Sequence, residues 1–405
     1  MKKPELVAPA GNLEKLKIAI NYGADAVYIG GKRWSLRART DNFTLPEIKK
    51  ATDYVHKRNK KIYVALNIFA HDKHFIGLEN YIKKLSNIGV DAYIVSDPGI
   101  ISVIQKINPE ANIHLSTQVS TSNQLSAEFW RKQGVKRIVL SRELSKTEIK
   151  SITKKTKCGI EIFVHGAMCI AHSGRCLLSS FMTGRSANLG DCAQPCRWKY
   201  FLNEETRQGE YLPVFEGERG TFIFNSKDLC LIEHIPEIFK TGAHAMKIEG
   251  RMKSLYYIAC VIRVYREAID EYASNPSKYR FRKIWLDELK KTSHRGYTKG
   301  FFLNKPNDEA QVYKSSSYIK NYEFVGIITK IVKSNIAKIE VRNKICVGDK
   351  LEVMDSRLKN DCEEIITQIR NKDNNEAAFA NPNQIVFIKT KNKLKKGNLL
   401  RRQLN

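Results

Sequence analysis

ELVAPAGNLEKLKIAINYGADAVYIGG, residues 5–31, reads as strand, helix and strand. The apolar run ELVAPAG is ended by Pro9 and Gly11, Asn12 can cap the helix LEKLKIAINYG, and ADAVYIGG is a second apolar run. The alternation then repeats. KIYVALN (61–67), DAYIVSD (91–97), NIHLSTQ (112–118), RIVLSRE (137–143) and GIEIFVHG (159–166) are further buried-strand runs. Between most of them lie segments of helical spacing closed by a glycine, such as YIKKLSNIG and SAEFWRKQG. AHAMKIEGR (243–251) supplies an eighth run, followed by the long amphipathic SLYYIACVIRVYREAIDEY. Eight strands with intervening helices predict a parallel (β/α)8 TIM-like barrel of the α/β class; a doubly wound sheet is the alternative.

Barrel active sites sit at the C-terminal ends of the strands. Tyr28, Asn67, Asp97, Gln118, Glu143, His165, Lys247, Glu249 and Arg251 end the runs and together would make a polar bowl. Singly, each is more often a polar cap. Lys247, Glu249, Arg251 and Lys253 alternate in KIEGRMKS, which reads either as a phosphate or carboxylate site or as a solvated strand end.

Trp198 to Asn225 interrupts the alternation and reads as an inserted β-hairpin lid, after which NSKDL opens a helix carrying Cys230. Three parts follow: a barrel over 1–275 with its insertion at about 198–225, a connecting segment over 276–320, and a small antiparallel β-barrel over 321–405. The connecting segment interleaves Arg280, Arg282, Lys283, Arg295 and Lys299 with Tyr279, Phe281, Trp285, Tyr297, Phe301 and Phe302. Such interleaving either stacks unpaired RNA bases or docks a linker onto the barrel. The last part alternates apolar and polar residues in EFVGIITKIVKS, IAKIEVRNK, KLEVMDS and QIVFIKTK.

Lys plus Arg total 69 against 42 acidic residues, a formal charge of +27. Such an excess favours polyanionic partners, nucleic acid above all, against the plainer reading of a lysine-rich composition. The start has no signal-like apolar run and no stretch of about 18 apolar residues occurs, so a cytoplasmic protein without membrane contact is expected. Disulfides are uncommon there, which turns clustered cysteines towards metal.

Four of nine cysteines, Cys169, Cys176, Cys192 and Cys196, fall between Glu161 and Arg197, and Cys230 is the nearest later candidate. Four thiolates on one point suit structural zinc or an iron–sulfur cluster, and the wide spacing leans towards iron–sulfur. The plain alternative is small buried hydrophobes, although this stretch is a glycine-punctuated loop. Cys158 and Cys260 read as packing, Cys346 and Cys362 as ordinary core or surface residues.

EIFVHGAMCIAHSGRCLLS resembles the signature of the collagenase-like peptidases, the unassigned-mechanism family numbered thirty-two. The matching positions are Glu161, Phe163, Gly166, Ala167, Met168, Cys169, Gly174, Cys176, Leu178 and Ser179. VAPAG, the GDC loop, KIEGRMKS, SHRGYTKGF and the terminal β-barrel extend the likeness over most of the chain. The resemblance implies an iron–sulfur protein supporting oxygen-independent hydroxylation of RNA, with a 4Fe–4S cluster on Cys169, Cys176, Cys192 and Cys230. Cys196 is an alternative fourth ligand. For a chain of this length and layout it implies tRNA as substrate, wobble uridine converted to 5-hydroxyuridine, and a small carboxylate donor such as prephenate. An electron donor or a paralogous subunit would complete the system.

His165, Glu249 and Arg251 are the candidate catalytic residues, and Lys247, Arg251, Lys253 and Arg295 the candidate substrate-binding ones. Three other readings stand beside this. Ribosomal RNA is an alternative substrate. The family name suggests a peptidase with Cys169 as nucleophile, activated by His172, although no HExxH helix or GxSxG elbow occurs. In the third, the protein docks RNA for another enzyme and its cysteines are structural.

Overall fold

The structure, a computed structural model, describes residues 2–35, 42–168, 177–185, 192–200, 202–203, 211–212, 221–222, 226–303, 318–333 and 335–404. At 197, 199–200, 202–203, 211–212 and 221–222 only the backbone is described.

Eight parallel strands form the barrel: β1 (Glu5–Pro9), β2 (Ala26–Gly30), β3 (Lys61–Leu66), β4 (Ala92–Val95), β5 (Ile113–Leu115), β6 (Arg137–Val139), β7 (Gly159–Gly166) and β8 (Ala245–Ile248). Each pairs with the next. β8 pairs with β1, Ala245 opposite Glu5, and also with β7, Ala245 opposite Glu161, so the sheet closes and the doubly wound alternative falls. Helices α1 (Leu13–Asn21), α2 (Leu45–His56), α3 (Leu78–Ile88), α4 (Pro98–Ile107), α5 (Gln124–Lys132) and α6 (Lys146–Lys155) fill the crossovers. Asn12 caps α1 as expected, its Oδ1 accepting from the Lys15 N–H at 3.0 Å. Asp97 is likewise a cap. Its carboxylate accepts the Gly99 and Ile100 N–H groups at 2.8 and 3.1 Å and that of Ala70 at 2.9 Å, which commits it to α4 and takes it out of the expected bowl.

The barrel interior is built from small residues, Ala26, Ala65, Ala92 and Ala245 beside Val7, Ile94, Tyr28 and Tyr63. These leave room for long charged side chains, and in the lower half Glu161 is the centre of a buried network. Its Oε1 accepts from Lys247 Nζ at 2.6 Å and its Oε2 from Arg137 at 3.1 Å, while Arg137 and the Tyr63 hydroxyl both bond Glu5, at 2.8 and 2.6 Å. Burial opposes ionisation of Glu161, but Lys247 and Arg137 outweigh it and bring the carboxyl down to about 2. A carboxyl lowered on folding contributes stability that is fully present above its ordinary value of 4.5 and is lost as pH falls towards 2. Glu161→Gln, which strands Lys247, is expected to cost about 3–5 kcal/mol at neutral pH. Urea denaturation should show this cost shrinking below pH 4.5; a pH-independent cost would contradict the network's role.

After β7 the chain makes α7 (Leu178–Thr183), a 3-10 turn at Pro195–Arg197, and antiparallel pairs joining 199–200 to 221–222 and 202–203 to 211–212, the backbone of the expected hairpin. The next segment corrects an expectation. Cys230 does not lie in a helix: Asp228–Cys230 is a strand antiparallel to the end of β7, Cys230 opposite His165, and α8 starts only at Ile235–Thr241. The Asp228 carboxylate, a potential cap, is instead paired with Arg295 at 2.7 Å.

For the basic and aromatic segment the structure selects the second of the two readings, docking onto the barrel. Trp285, Tyr279 and Phe302 are buried, Phe281, Tyr297 and Phe301 pack against the main core, and Tyr297–Thr298 adds a strand beside Asp228–Leu229. The aromatics dock the segment onto the barrel through α9 (Leu255–Ser274) and α10 (Lys283–Lys290), where burying ring area is the stronger drive.

Residues 322–403 form a curled antiparallel sheet of eight strands with its own core of Val325, Ile339, Leu351, Val386 and Leu400 among others. Cys346 and Cys362 are half-buried there, while Cys158 and Cys260 are buried, Cys260 with its Sγ 3.2 Å from the Glu288 carbonyl. The sheet is tied to the barrel by buried charge. Arg263 of α9 bonds Asp361 and the Asp355 carbonyl, each at 2.7 Å, and Arg401 bonds Glu288 of α10 at 2.9 Å and Glu352 at 2.9 Å. No helix among the described residues is long and apolar enough to cross a membrane.

Candidate functional site

The C-terminal end of β7 is the point where the candidate residues gather. Gly166 has φ +113°, and a Cβ there would stand 2.7 Å from both the Cβ and the carbonyl oxygen of Glu249, so only glycine lets the end of β7 close on the end of β8. Glu249 is locked into this junction. Its N–H donates to the His165 carbonyl at 2.8 Å, its carbonyl accepts from the Tyr257 hydroxyl at 3.2 Å, and its carboxylate accepts weakly from the Ala167 N–H at 3.4 Å.

His165 is 1% exposed, its ring centroid 5.5–5.9 Å from those of Tyr297, Tyr265 and Tyr257, and among the described residues neither ring nitrogen has a partner. Burial, helped by Lys253 and His294, pushes it down to about 3, so the ring is neutral. Cys230 stands opposite it across the strand pair.

The four residues of KIEGRMKS separate. Lys247 points into the barrel, paired with Glu161 and 4.4 Å from the Tyr28 ring centroid. Arg251 is buried at the rim beside Gly30 and donates to Asn42 Oδ1 at 2.5 Å. Lys253 lies 4.2 Å from the Tyr318 ring centroid and reaches the Ser293 carbonyl at 3.4 Å. Arg295 is buried, held by Asp228, and donates to the Tyr318 hydroxyl at 3.1 Å. The charges of Lys247 and Arg295 are thus met within the protein.

Around the opposite rim, Gln118 Oε1 accepts from Asn67 at 2.6 Å, Ser96 at 3.1 Å and Ser116 at 3.3 Å, while Ser141 donates to Glu143. This polar rim accounts for Asn67, Gln118 and Glu143 of the expected bowl, whereas Asp97 caps α4, Lys247 pairs with Glu161 inside the barrel and His165 is enclosed by tyrosines. Asn42, Ser96, Ser116 and Arg142, which donates to the Ala167 carbonyl, are members that sequence reasoning missed. Ser96 and Ser116 sit at strand ends like the residues that were picked, so position alone could have found them. Asn42 carried no such signal.

Cys169 and Cys176 lie outside the described residues, as does His172. Among the described residues no three His, Cys, Asp or Glu side chains converge on a point that could hold an ion. The two remaining sulfurs of the expected set differ in their surroundings. Cys192 Sγ is exposed and accepts the Gln194 N–H at 3.3 Å. Cys230 Sγ is buried, accepts the Ile232 N–H and is bonded to Tyr265; burial pushes its thiol up to about 12, so it is protonated at neutral pH. Cys196, on the 3-10 turn, is half-buried.

A closed (β/α)8 barrel with polar side chains at the C-terminal ends of its strands is the class that fold and site define. The chain belongs to peptidase family U32, whose pattern matches residues 11–312, and the family's C-terminal domain matches 320–401. It is 43% identical to the tRNA hydroxylation protein P1 of Bacillus subtilis (strain 168), over 99% of this chain and 95% of that one. It is 39% identical to the tRNA hydroxylation protein P of Escherichia coli (strain K12), over 87% and 86%. A 23S rRNA 5-hydroxycytidine synthase of the same E. coli strain is 33% identical over 87% of this chain and 53% of its own.

Proposed function

We propose that this protein is an RNA-modifying enzyme that hydroxylates tRNA, converting wobble uridine to 5-hydroxyuridine without molecular oxygen. The observation that carries the reading is the end-to-end match, both domains included, to a relative named for tRNA hydroxylation. Cys169, Cys176, Cys192 and Cys230 would hold a 4Fe–4S cluster, which supplies electron transfer when bound. Cys192 Sγ already accepts the Gln194 N–H, and at Cys230 the Ile232 N–H partly offsets the burial that raises the thiol. Glu249, fixed between β7 and β8, positions the backbone that leads into the cysteine loop. Arg251, anchored by Asn42, offers a planar cation for a small carboxylate donor such as prephenate. An electron donor or a paralogous subunit completes the system, in the cytoplasm.

A Cys169 peptidase would need a base beside its thiol. His165 is walled in by tyrosines and neutral, which argues against it as that base, and the other flanking histidine, His172, lies outside the described residues.

The test is nucleoside analysis of a deletion strain. Loss of 5-hydroxyuridine from tRNA is expected, restored by the wild-type chain and not by Cys169→Ala. Restoration by Cys169→Ala would overturn the reading; intact tRNA with missing hydroxycytidine in ribosomal RNA would move the substrate.

A further inference from the structure

The aromatic side chains between 276 and 320 that suggested base stacking are mostly turned into the core. Exposed rings occur elsewhere, on the cap that follows β7. There α7 and the Pro195–Arg197 turn pack on one another, pinned where the Ala193 N–H donates to Ser179 Oγ at 2.9 Å. Ser179 is the buried residue of α7, while Phe181 on the same helix is 87% exposed. Trp198, immediately after the turn, is 42% exposed, and Leu177 and Met182 are exposed beside them in sequence. By contrast Trp34 and Trp285 are buried.

We propose that Phe181 and Trp198 form a stacking platform for an unpaired base of RNA. This rests on the RNA-hydroxylation reading and adds the surface that presents the base. Large rings left in water add nothing to the core, and three observations favour RNA as their occupant. The formal charge of +27 selects a polyanion over an ordinary protein surface. The cap carries Arg185 two residues after α7, and cations beside aromatics hold phosphates while rings hold bases. The cap also follows the strand end at which the candidate residues gather. A base held by its faces keeps its edge free, and the C5 atom of uridine lies on that edge, so stacking leaves the reacting position open.

The experiment uses the full chain and a synthetic RNA hairpin with a uridine in its unpaired loop, compared with a blunt RNA duplex. The hairpin is expected to quench tryptophan fluorescence, and that signal should vanish in Trp198→Phe while affinity is largely kept. Phe181→Leu and Trp198→Leu should each weaken hairpin binding about tenfold. Phe181→Tyr should bind like wild type. The salt dependence of binding should be unchanged in all of them, because no cation is removed.

Unchanged affinity in both leucine variants would overturn the platform while leaving RNA hydroxylation intact. Self-association of the wild type abolished by Phe181→Leu, with hairpin affinity unaltered, would assign the patch to a protein contact and equally overturn it. A wild-type chain that binds no hairpin, together with a deletion strain that keeps its hydroxyuridine, would remove the functional reading as well.

Discussion

Cys230→Ala protein, purified without oxygen, is expected to lose its iron, whereas Cys196→Ala protein keeps roughly four irons per chain. The argument is local. Cys230 is on a strand fastened at both ends of its contact with β7, by the pairing with His165 and by the Leu231 N–H donated to the Val164 carbonyl at 3.0 Å. Its sulfur is buried and already accepts a backbone N–H, so a metal gains a rigid ligand in a dry site. Cys196 lies half-exposed on a three-residue turn. Because burial pushes the Cys230 thiol up to about 12, ligation must release its proton, and iron retention in the presence of a chelator is expected to improve as pH rises. Iron retained by Cys230→Ala and lost by Cys196→Ala would exchange the two assignments. About one zinc per chain in place of iron would sink the cluster altogether.

Glu288→Ala is expected to destabilise the protein by about 3–5 kcal/mol. Glu288 lies between Arg263 and Arg401, all three buried, and removing it leaves two guanidinium groups out of water with less counter-charge. Burial opposes ionisation of Glu288, but Arg263 and Arg401 outweigh it and hold the carboxyl well below the usual range. Its contribution is therefore complete above pH 4.5 and lost on acidification below it. A joint change of Arg263→Met, Glu288→Leu and Arg401→Met removes the charges together and is expected to cost far less than the single variant. Urea denaturation of both proteins decides it: a single variant within about 1 kcal/mol of wild type would show that the network contributes little. The barrel and the C-terminal sheet are expected to unfold together in wild type, and separately once Glu288 is gone.

These two sites differ in how far they could be read in advance. The cysteine spacing in 169–196 and the alternation of apolar runs with helical segments lie in short stretches of chain, where periodicity and turn residues act locally. Asn12 announces its helix because capping involves only the next three residues. Cys230 in a strand was not legible, since the partner that makes it a strand is β7, more than sixty residues earlier. The same holds for Lys247, whose alternation with Glu249 and Arg251 looked like one binding site. Closure of the barrel turned Lys247 inward to Glu161 and left Arg251 at the rim.

What the sequence determined by itself was thus the set of eight strands, the helices between them and the polar ends of the strands. Only the tertiary structure decided which aromatic residues are core and which are surface. Phe181 and Trp285 are both large aromatic residues, yet one is exposed and the other fully buried, because burial depends on what the rest of the chain brings against each ring.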